Sequence, residues 1–235
     1  MLGTTLDCTA GPKSGPQSGP LPAEHEPVLS VTGLVLAGGR GSRMGGVEKG
    51  LQRLAGQALV QIALQRLRRQ SGLAVAACAI NANRELAAYA AFGVPVWPDP
   101  VGDCAGPLAG FAAGLQHGHT PWLLTVPCDV PRFPLDLLAR LAQGVQSEQA
   151  DLAVAAAPDA DGVLRLQPVF CLLKADLLPS LLHYIGQGGS KVQAWSRQQR
   201  CAVVPFDAPA DDPRAFDNLN TWAQLQAAGG RFGAA

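Results

Sequence analysis

The chain has 235 residues, enough for one large domain with a buried core. Hydrophobic residues make up 48% and charged residues 15% of it, a balance typical of globular proteins and not of disordered ones. Its 18 basic and 18 acidic residues cancel, which argues against a nucleic-acid-binding surface, because such surfaces neutralise phosphates with an excess of Lys and Arg.

The first 27 residues differ in composition from the remainder, since Gly and Pro fill nine of the 27 positions. Such a segment buries too little apolar surface to offset chain entropy, so we expect a disordered tail over residues 1–27 and one folded domain over residues 28–235. The tail lacks the basic start and apolar centre of a secretory signal, and no apolar run approaches the ~20 residues of a membrane-spanning helix. The six cysteines form no Cys-x-x-Cys pair, which favours reduced thiols in a cytoplasmic protein.

The first predicted element is a short apolar strand at Leu34–Ala37, and a glycine-rich loop follows it. The loop combines five glycines with three cationic side chains: Gly38, Gly39, Arg40, Gly41, Arg43, Gly45, Gly46 and Lys49. Glycines let backbone N–H groups approach a ligand closely, and cationic side chains beside them suit a polyphosphate. Because open α/β sheets bind nucleotides at the carboxyl ends of their strands, the stretch predicts a phosphate-binding loop. The alternative is a flexible glycine-rich surface loop.

Two common phosphate-binding motifs do not fit this loop. A P-loop requires Gly-x-x-x-x-Gly-Lys-[Ser/Thr], whereas the approach to Lys49 here is Gly46-Val-Glu-Lys49-Gly50. The dinucleotide fingerprint Gly-x-Gly-x-x-Gly fails because Met44 stands at the third glycine position. The pattern that remains is Leu36-Ala-Gly-Gly-x-Gly-Ser-Arg-Met-Gly-Gly-x-x-Lys49.

Helical and strand patterns alternate along the rest of the chain. The predicted strands are Leu73–Ile80, Val94–Trp97, Trp122–Val126, Leu152–Ala157, Pro168–Leu173 and Ala202–Phe206. The predicted helices are Gln57–Gln70, Glu85–Phe92, Pro107–His117, Pro134–Gln143 capped by Gly144, Ala175–Ile185, Ser190–Gln199 and a last one opening at Thr221. The alternation predicts a three-layer, Rossmann-like α/β fold with a mostly parallel central sheet and right-handed crossovers.

Asp129 directly follows the predicted strand Trp122–Val126 and the dipeptide Pro127-Cys128. A carboxylate at that place reaches the crevice of the sheet, and Mg²⁺ in nucleotide sites takes only one or two protein carboxylates. We therefore expect Asp129 to be a magnesium ligand, the alternative being the N-cap of the next helix. Lys49 is expected to meet the β- and γ-phosphates of a bound nucleotide, the alternative being a solvated lysine.

Five further residues carry weaker signals. Asn81 and Asp99 each close a predicted strand and are expected to line the same edge of the sheet, the alternative for each being a turn residue. Gly106 and Pro107 open a helix whose N-terminus suits an anion, or simply form a tight helix start. Cys128 has no neighbouring base in the sequence and is expected to be a packed thiol.

The loop closely resembles the signature loop of nucleotidyltransferases of the molybdenum cofactor guanylyltransferase family. Later stretches look like successive motifs of that family, in the same order: Asn81-Ala-Asn-Arg84, Asp99, Gly106-Pro-Leu-Ala-Gly110, Pro127-Cys-Asp129-Val-Pro131 and Asp217-Asn-Leu-Asn-Thr221. The resemblance covers roughly residues 31–228. It implies a Rossmann-like fold and the transfer of GMP from GTP to molybdopterin cofactor with Mg²⁺, releasing pyrophosphate.

By matching position, the resemblance also implies roles for individual residues. GTP contacts are expected from Leu36, Ala37, Gly38, Gly39, Lys49, Asn81, Asp99 and Asp129. Arg43 is expected to join Lys49 and Asp129 in catalysis, and substrate binding is expected at Gly106, Pro107, Asn218 and Asn220, the last two near the pterin. The chain departs from the family at Glu48, where Asp is usual, and at Leu166-Gln167-Pro168, where many members are more polar.

The implied partners are GTP, molybdopterin cofactor and, downstream, molybdoenzymes or their chaperones. We expect the chain itself to be a monomer or a weak oligomer. Within the enzymes, one alternative is a cytidylyltransferase acting on the same cofactor, whose loop usually carries Ala-Ala-Gly where this chain has Ala37-Gly38-Gly39. A sugar-1-phosphate nucleotidyltransferase is another. From a different class, a non-catalytic cofactor carrier is disfavoured because a carrier has no need for both Lys49 and Asp129.

Overall fold

The computed structural model describes residues 29–38, 48–100 and 106–219 of the chain. The strands are β1 Val31–Leu36, β2 Arg53–Leu54, β3 Gln57–Ala58, β4 Ala77–Asn81, β5 Val96–Trp97, β6 Trp122–Pro127, β7 Leu152–Pro158, β8 Leu164–Lys174 and β9 Cys201–Pro205. The helices are α1 Leu59–Arg68, α2 Leu86–Ala90, α3 Pro107–His117, α4 Leu137–Glu148, α5 Leu178–Gly186 and α6 Val192–Ser196. Short 3₁₀ turns cover Lys49–Leu51 and Ala175–Leu177.

Within these residues, seven strands form one sheet in the order β5-β4-β1-β6-β8-β7-β9. Its pairs are parallel except where β8 runs antiparallel between β6 and β7, which confirms the predicted mostly parallel α/β sheet. The last residue of β1, Leu36, lies opposite Asn81 of β4 and Pro127 of β6. Three strand ends therefore meet at one edge of the sheet, the place at which such folds bind nucleotides.

Helices cover both faces of the sheet and bury two apolar clusters. Successive side chains of a strand point to opposite faces, so Val35 packs in one cluster with α1 and α4, while Leu34 packs in the other with α3, α5 and α6. Trp195 of α6 and Tyr89 of α2 are among the largest fully buried side chains. The predicted three layers are confirmed.

Gly144 does not cap a helix, contrary to the prediction. Helix α4 begins at Leu137 and runs through Gly144 to Glu148, and its C-cap is Gln149 with a φ of 49°. A Cβ on residue 144 would lie 2.5 Å from Cγ2 of Val204 in β9. Glycine is therefore needed for close packing of α4 on the sheet, and it does not mark the helix end.

Most predicted strands have different bounds in the structure, and the largest shifts are at the starts of β1, which begins at Val31 and not at Leu34, of β4 and of β8. Strand β4 begins only at Ala77, because Leu73 and Val75 pack against the core from a loop and lie outside the strand. Strand β8 starts at Leu164, four residues before the predicted start at Pro168. Its register against β7 shifts between Val154 and Ala155, and such an irregularity accommodates a proline that cannot donate to the ladder.

The predicted first helix over 57–70 begins later than expected, because a β-hairpin of β2 and β3 precedes α1. Ala55 and Gly56 form its two-residue turn with φ values of 48° and 85°, the left-handed conformation that such hairpins require. Helices α2 and α6 are shorter than the predicted 85–92 and 190–199, and a 3₁₀ turn precedes α5. Helix α3 matches its predicted bounds of Pro107–His117.

The predicted disordered tail over 1–27, the start of the folded domain at residue 28 and the predicted last helix at Thr221 lie outside the described residues. In the part of the chain that the structure describes, no helix is long and apolar enough to cross a membrane.

Candidate active site

The carboxyl end of β1 is bonded to its neighbours on both sides. Beyond Leu36, the amide of Ala37 donates to the carbonyl of Asn81 at 2.8 Å, and the amide of Cys128 donates to the carbonyl of Leu36 at 3.1 Å. Gly38 follows at the same edge of the sheet. The next residues, including the predicted site residues Gly39 and Arg43, lie outside the described part of the chain.

Lys49 and Asp129 come together at this edge from positions 80 residues apart in the chain. Lys49 Nζ donates to Asp129 Oδ2 at 2.5 Å, and the two side chains are 20% and 19% exposed. The lysine lies in the 3₁₀ turn that ends the glycine-rich loop, and the aspartate follows β6. Since the pair is neither fully solvated nor sealed, its charges are partly desolvated and still within reach of a ligand.

Asp129 is not the N-cap of the following helix, so that alternative is wrong. Helix α4 begins eight residues later, with Asp136 at its N-cap position. The backbone carbonyl of Asp129 accepts a hydrogen bond from the amide of Leu219 at 2.9 Å, which fixes the main chain around the carboxylate. Beside it, burial and the neighbouring aspartate raise the pKa of the Cys128 thiol, in keeping with a packed, protonated cysteine.

Asn81 and Asp99 line the same edge, as expected, and are bonded to each other. The side-chain amide of Asn81 donates to the Trp97 carbonyl at 3.0 Å and to Asp99 Oδ1 at 2.8 Å. Asn83, which the sequence analysis did not select, donates to Asp99 Oδ2 at 2.7 Å and accepts from the Asp99 amide at 2.8 Å. The Asp99 carboxylate is therefore oriented by two amides, and the Asn81-Ala-Asn83 spacing was the available signal for the second.

Helix α3 packs closely against this group. Gly106, with a φ of 136°, precedes Pro107, the first residue of the helix. Further along the helix, a Cβ on Gly110 would lie 2.5 Å from Asn81 Oδ1 and 2.6 Å from Leu36 Cδ2. The glycine thus allows the first turns of α3 to approach the strand ends, which brings the predicted helix start to the edge where Asn81 lies.

The late Asp217-Asn-Leu-Asn motif reaches the site through its backbone. Asn218 is exposed and precedes Leu219, whose amide bonds to Asp129. The segment is anchored by Phe216, whose ring packs edge-on against Phe170 at 5.0 Å between ring centroids. No motif in the sequence indicated this aromatic contact. Asn220 lies outside the described residues.

With this geometry in view, comparisons with known proteins identify the family. A family profile described as a MobA-like NTP transferase domain matches residues 33–204. A molybdenum cofactor guanylyltransferase from Acidovorax sp. (strain JS42) is 59% identical over 202 residues, which cover 84% of this chain and 94% of the relative. The chain belongs to the molybdenum cofactor guanylyltransferase family.

Solved structures share the fold of this family member at low sequence identity. Molybdopterin-guanine dinucleotide biosynthesis protein A from Archaeoglobus fulgidus matches with a TM-score of 0.68 and 20% identity, over 87% of this chain and 100% of that one. A 4-diphosphocytidyl-2C-methyl-D-erythritol synthase from Anaerococcus prevotii matches with a TM-score of 0.63 and 10% identity, over 87% and 96%. Because proteins named for different compounds share it, the fold by itself does not select the nucleotide base.

Proposed function

We propose that this chain transfers GMP from GTP to the molybdenum–molybdopterin cofactor, giving molybdopterin guanine dinucleotide and pyrophosphate. The observation that carries the proposal is the Lys49–Asp129 pair at the end of the glycine-rich loop. It supplies a cation and a carboxylate where three strand ends meet, in a chain that is 59% identical to a named guanylyltransferase. A sheet edge of this kind is suited to a nucleoside triphosphate.

In the proposed reaction, a terminal phosphate oxygen of the cofactor attacks the α-phosphorus of GTP. A new P–O bond forms there as the bond from the α-phosphorus to the bridging oxygen breaks, and pyrophosphate leaves with that electron pair. The attacking phosphate is already anionic at neutral pH, so the protein need not supply a general base. Its contribution is then to align the two substrates and to stabilise the charge on the departing pyrophosphate.

Lys49 is proposed to supply most of that stabilisation from the protein side. Its ammonium is bonded to Asp129, and we propose that it turns to the β- and γ-phosphates when GTP binds. A lysine suits this role because its three donors lie on a flexible stem and form a compact point charge. The backbone at Ala37 and Gly38, at the end of β1, is proposed to lie along the same nucleotide.

Asn81 and Asp99 are proposed to contact the nucleoside part of GTP. Their side chains are bonded to each other, and Asn83 holds the second carboxylate oxygen of Asp99. Such an ordered polar group presents fixed acceptors and donors to a ligand, and fixed geometry is the basis of discrimination between similar ligands. Gly106, Pro107 and Asn218, which lie around the same edge, are proposed to bind the cofactor.

Asp129 is proposed to hold Mg²⁺. Among the described residues, no three His, Cys, Asp or Glu side chains gather into a metal site. A magnesium ion in a nucleotide site needs only one or two carboxylates, because phosphate oxygens and water complete its octahedron. A single partly exposed carboxylate at this edge is therefore a sufficient donor set, and the ion would neutralise triphosphate charge and polarise the reacting phosphate.

Pyrophosphate release from GTP, CTP and ATP tests the proposal, measured with Mg²⁺ in the presence and absence of molybdopterin cofactor. We expect release only when GTP and the cofactor are both present. Release that depends on CTP would replace guanylyl by cytidylyl transfer, and binding of the cofactor with no release from any nucleotide would identify a carrier. We further propose a cytoplasmic enzyme, active as a monomer or weak oligomer, whose product is handed to molybdoenzymes or their chaperones.

A further inference from the structure

Glu48, the residue before Lys49, is bound by side chains on and beside α2. Its Oε2 accepts a hydrogen bond from the hydroxyl of Tyr89 at 3.1 Å, and its Oε1 lies 2.6 Å from Nε of Arg84. The Glu48 side chain is only 10% exposed. A carboxylate this buried is costly unless it is paired and hydrogen-bonded, and here each oxygen has its own donor.

Tyr89 touches the loop on both sides of Lys49. It is fully buried, and its hydroxyl oxygen lies 2.6 Å from the position that a Cβ on Gly50 would occupy. Only a glycine permits this approach. Burial, together with the nearby Cys128 and Glu48, raises the pKa of Tyr89, so its hydroxyl keeps its proton and remains a donor to Glu48.

The backbone of the turn is also closed around Lys49. The amide of Leu51 donates to the carbonyl of Glu48 at 3.2 Å, and the amide of Gln52 donates to the carbonyl of Lys49 at 3.1 Å. The side chain of Gln52 adds a bond to the Glu48 carbonyl at 3.2 Å. Lys49 therefore projects from a short rigid turn whose two flanking residues are held against Tyr89, and from there it reaches Asp129.

We propose that Glu48, held by Tyr89 and Arg84, is the positioning residue that fixes the main chain of Lys49 and so sets where its ammonium meets the triphosphate. The inference rests on the proposed role of Lys49 in guanylyl transfer. A displacement of about 1 Å in a group that stabilises transition-state charge costs up to a hundredfold in rate. The contact with α2 thus sets the rate through a residue that does not touch substrate.

Tyr89→Phe is the first test, because it removes one hydroxyl and keeps the buried ring. Rates of pyrophosphate release at saturating GTP and cofactor are expected to fall about tenfold, the factor that corresponds to one lost hydrogen bond to a charged group. Tyr184→Phe is the matched control. That tyrosine lies in α5 on the opposite face of the sheet, where its hydroxyl donates to the Lys191 carbonyl, and its loss is expected to leave the rate unchanged.

A double-mutant cycle with Lys49→Ala separates positioning from a general loss of structure. If Glu48 and Tyr89 act through Lys49, then Tyr89→Phe and Glu48→Gln slow the wild-type reaction but have no further effect on the Lys49→Ala enzyme. A purely structural role would give the same loss in both backgrounds, and that result overturns the proposal. Thermal unfolding of every variant is measured in parallel.

Arg84→Met provides a second variant that does not open the core, because the Arg84 side chain is 49% exposed. We expect it to slow the wild-type reaction and to have no further effect in the Lys49→Ala background. Wild-type rates in both Arg84→Met and Tyr89→Phe overturn the positioning role and leave guanylyl transfer intact. Absence of cofactor-dependent release by the wild-type enzyme overturns the proposed function itself, so the two failures are distinguishable.

Discussion

Two ion pairs of similar distance and exposure have different surroundings in this protein. Lys49 and Asp129 are joined at 2.5 Å with side chains 20% and 19% exposed, and Arg140 and Asp211 at 2.8 Å with side chains 24% and 18% exposed. Distance and burial alone therefore do not distinguish the pair that we propose to be reactive from the structural one. The difference lies in the place that each pair occupies in the fold.

Arg140 is held by groups that serve the fold. Its guanidinium lies 3.8 Å from the centroid of the Phe206 ring, and it also donates to the Pro205 carbonyl at the end of β9. Asp211 in turn accepts a bond from the amide of Ala208 at 3.0 Å. The guanidinium of Arg140 thus contacts a ring, a carbonyl and a carboxylate at the same time. These contacts connect α4 to the chain that follows β9. Lys49 instead lies where the carboxyl ends of three strands meet, at the end of the glycine-rich loop.

The largest effect is expected for Asp129→Ala, which should abolish guanylyl transfer because it removes the proposed magnesium ligand. The free energy of unfolding should fall by about 1.5–3 kcal/mol, the scale for losing a hydrogen bond between charged groups. Transfer is measured as formation of the guanine dinucleotide, and unfolding by urea titration. Substantial transfer by this variant would remove the metal assignment.

Lys49→Ala should weaken transition-state stabilisation by about 2–4 kcal/mol, the scale for losing one donor to developing negative charge. The loss is expected in kcat/KM for GTP, with the melting temperature close to that of the wild type. Steady-state kinetics with varied GTP at fixed cofactor measure it. An unchanged rate would exclude Lys49 from the mechanism and reduce the pair to a structural one.

Arg140→Met should show the opposite pattern, with stability lowered by about 1–3 kcal/mol and kcat/KM unchanged. Methionine keeps apolar contact with Phe206 but leaves Asp211 without its guanidinium. The check is urea unfolding together with the same kinetic assay. A variant of normal stability, or one with impaired transfer, would break the distinction between the two pairs.

The smallest effect concerns pH. The hydrogen bond that Asp211 accepts from Arg140 holds the pKa of the Asp211 carboxyl below its usual value. A carboxyl whose pKa is lowered by folding stabilises the protein above its unfolded-state pKa, about 3.9, and this contribution is lost as the pH falls through the folded-state value. Wild type should therefore be more stable than Asp211→Asn at pH 6, and the gap should narrow below about pH 4. A gap that is constant with pH would contradict this assignment.

The sequence was sufficient to predict that Lys49 and Asp129 lie at the same edge of the sheet, where the structure joins them. Each is indicated by the local sequence at the end of a strand. Lys49 lies in a glycine-rich loop after an apolar strand, and Asp129 closely follows another strand. Parallel strands then bring the two ends together without any knowledge of the intervening chain. The alternation of elements predicted the layers for the same reason.

The side chains that hydrogen-bond to Asp99 and Glu48 were not predictable from the ends of strands. Asn83 meets Asp99 across 16 residues, and Tyr89 meets Glu48 across 41, through side-chain bonds that no periodicity records. The helix-ending rule failed at Gly144, where packing against Val204 decides the residue instead. The hairpin of β2 and β3 was missed because its turn places Ala55 at a positive φ, a conformation that a residue other than glycine seldom adopts.

The most direct test compares the two aspartates in one experiment. GMP transfer from GTP to molybdopterin cofactor is measured under single-turnover conditions for wild type, Asp129→Ala and Asp211→Ala. We predict transfer at the wild-type rate by Asp211→Ala and none by Asp129→Ala, although each variant removes the carboxylate of a similarly exposed ion pair. Equal transfer by the two variants would contradict the claim that the Lys49–Asp129 pair is the reactive centre.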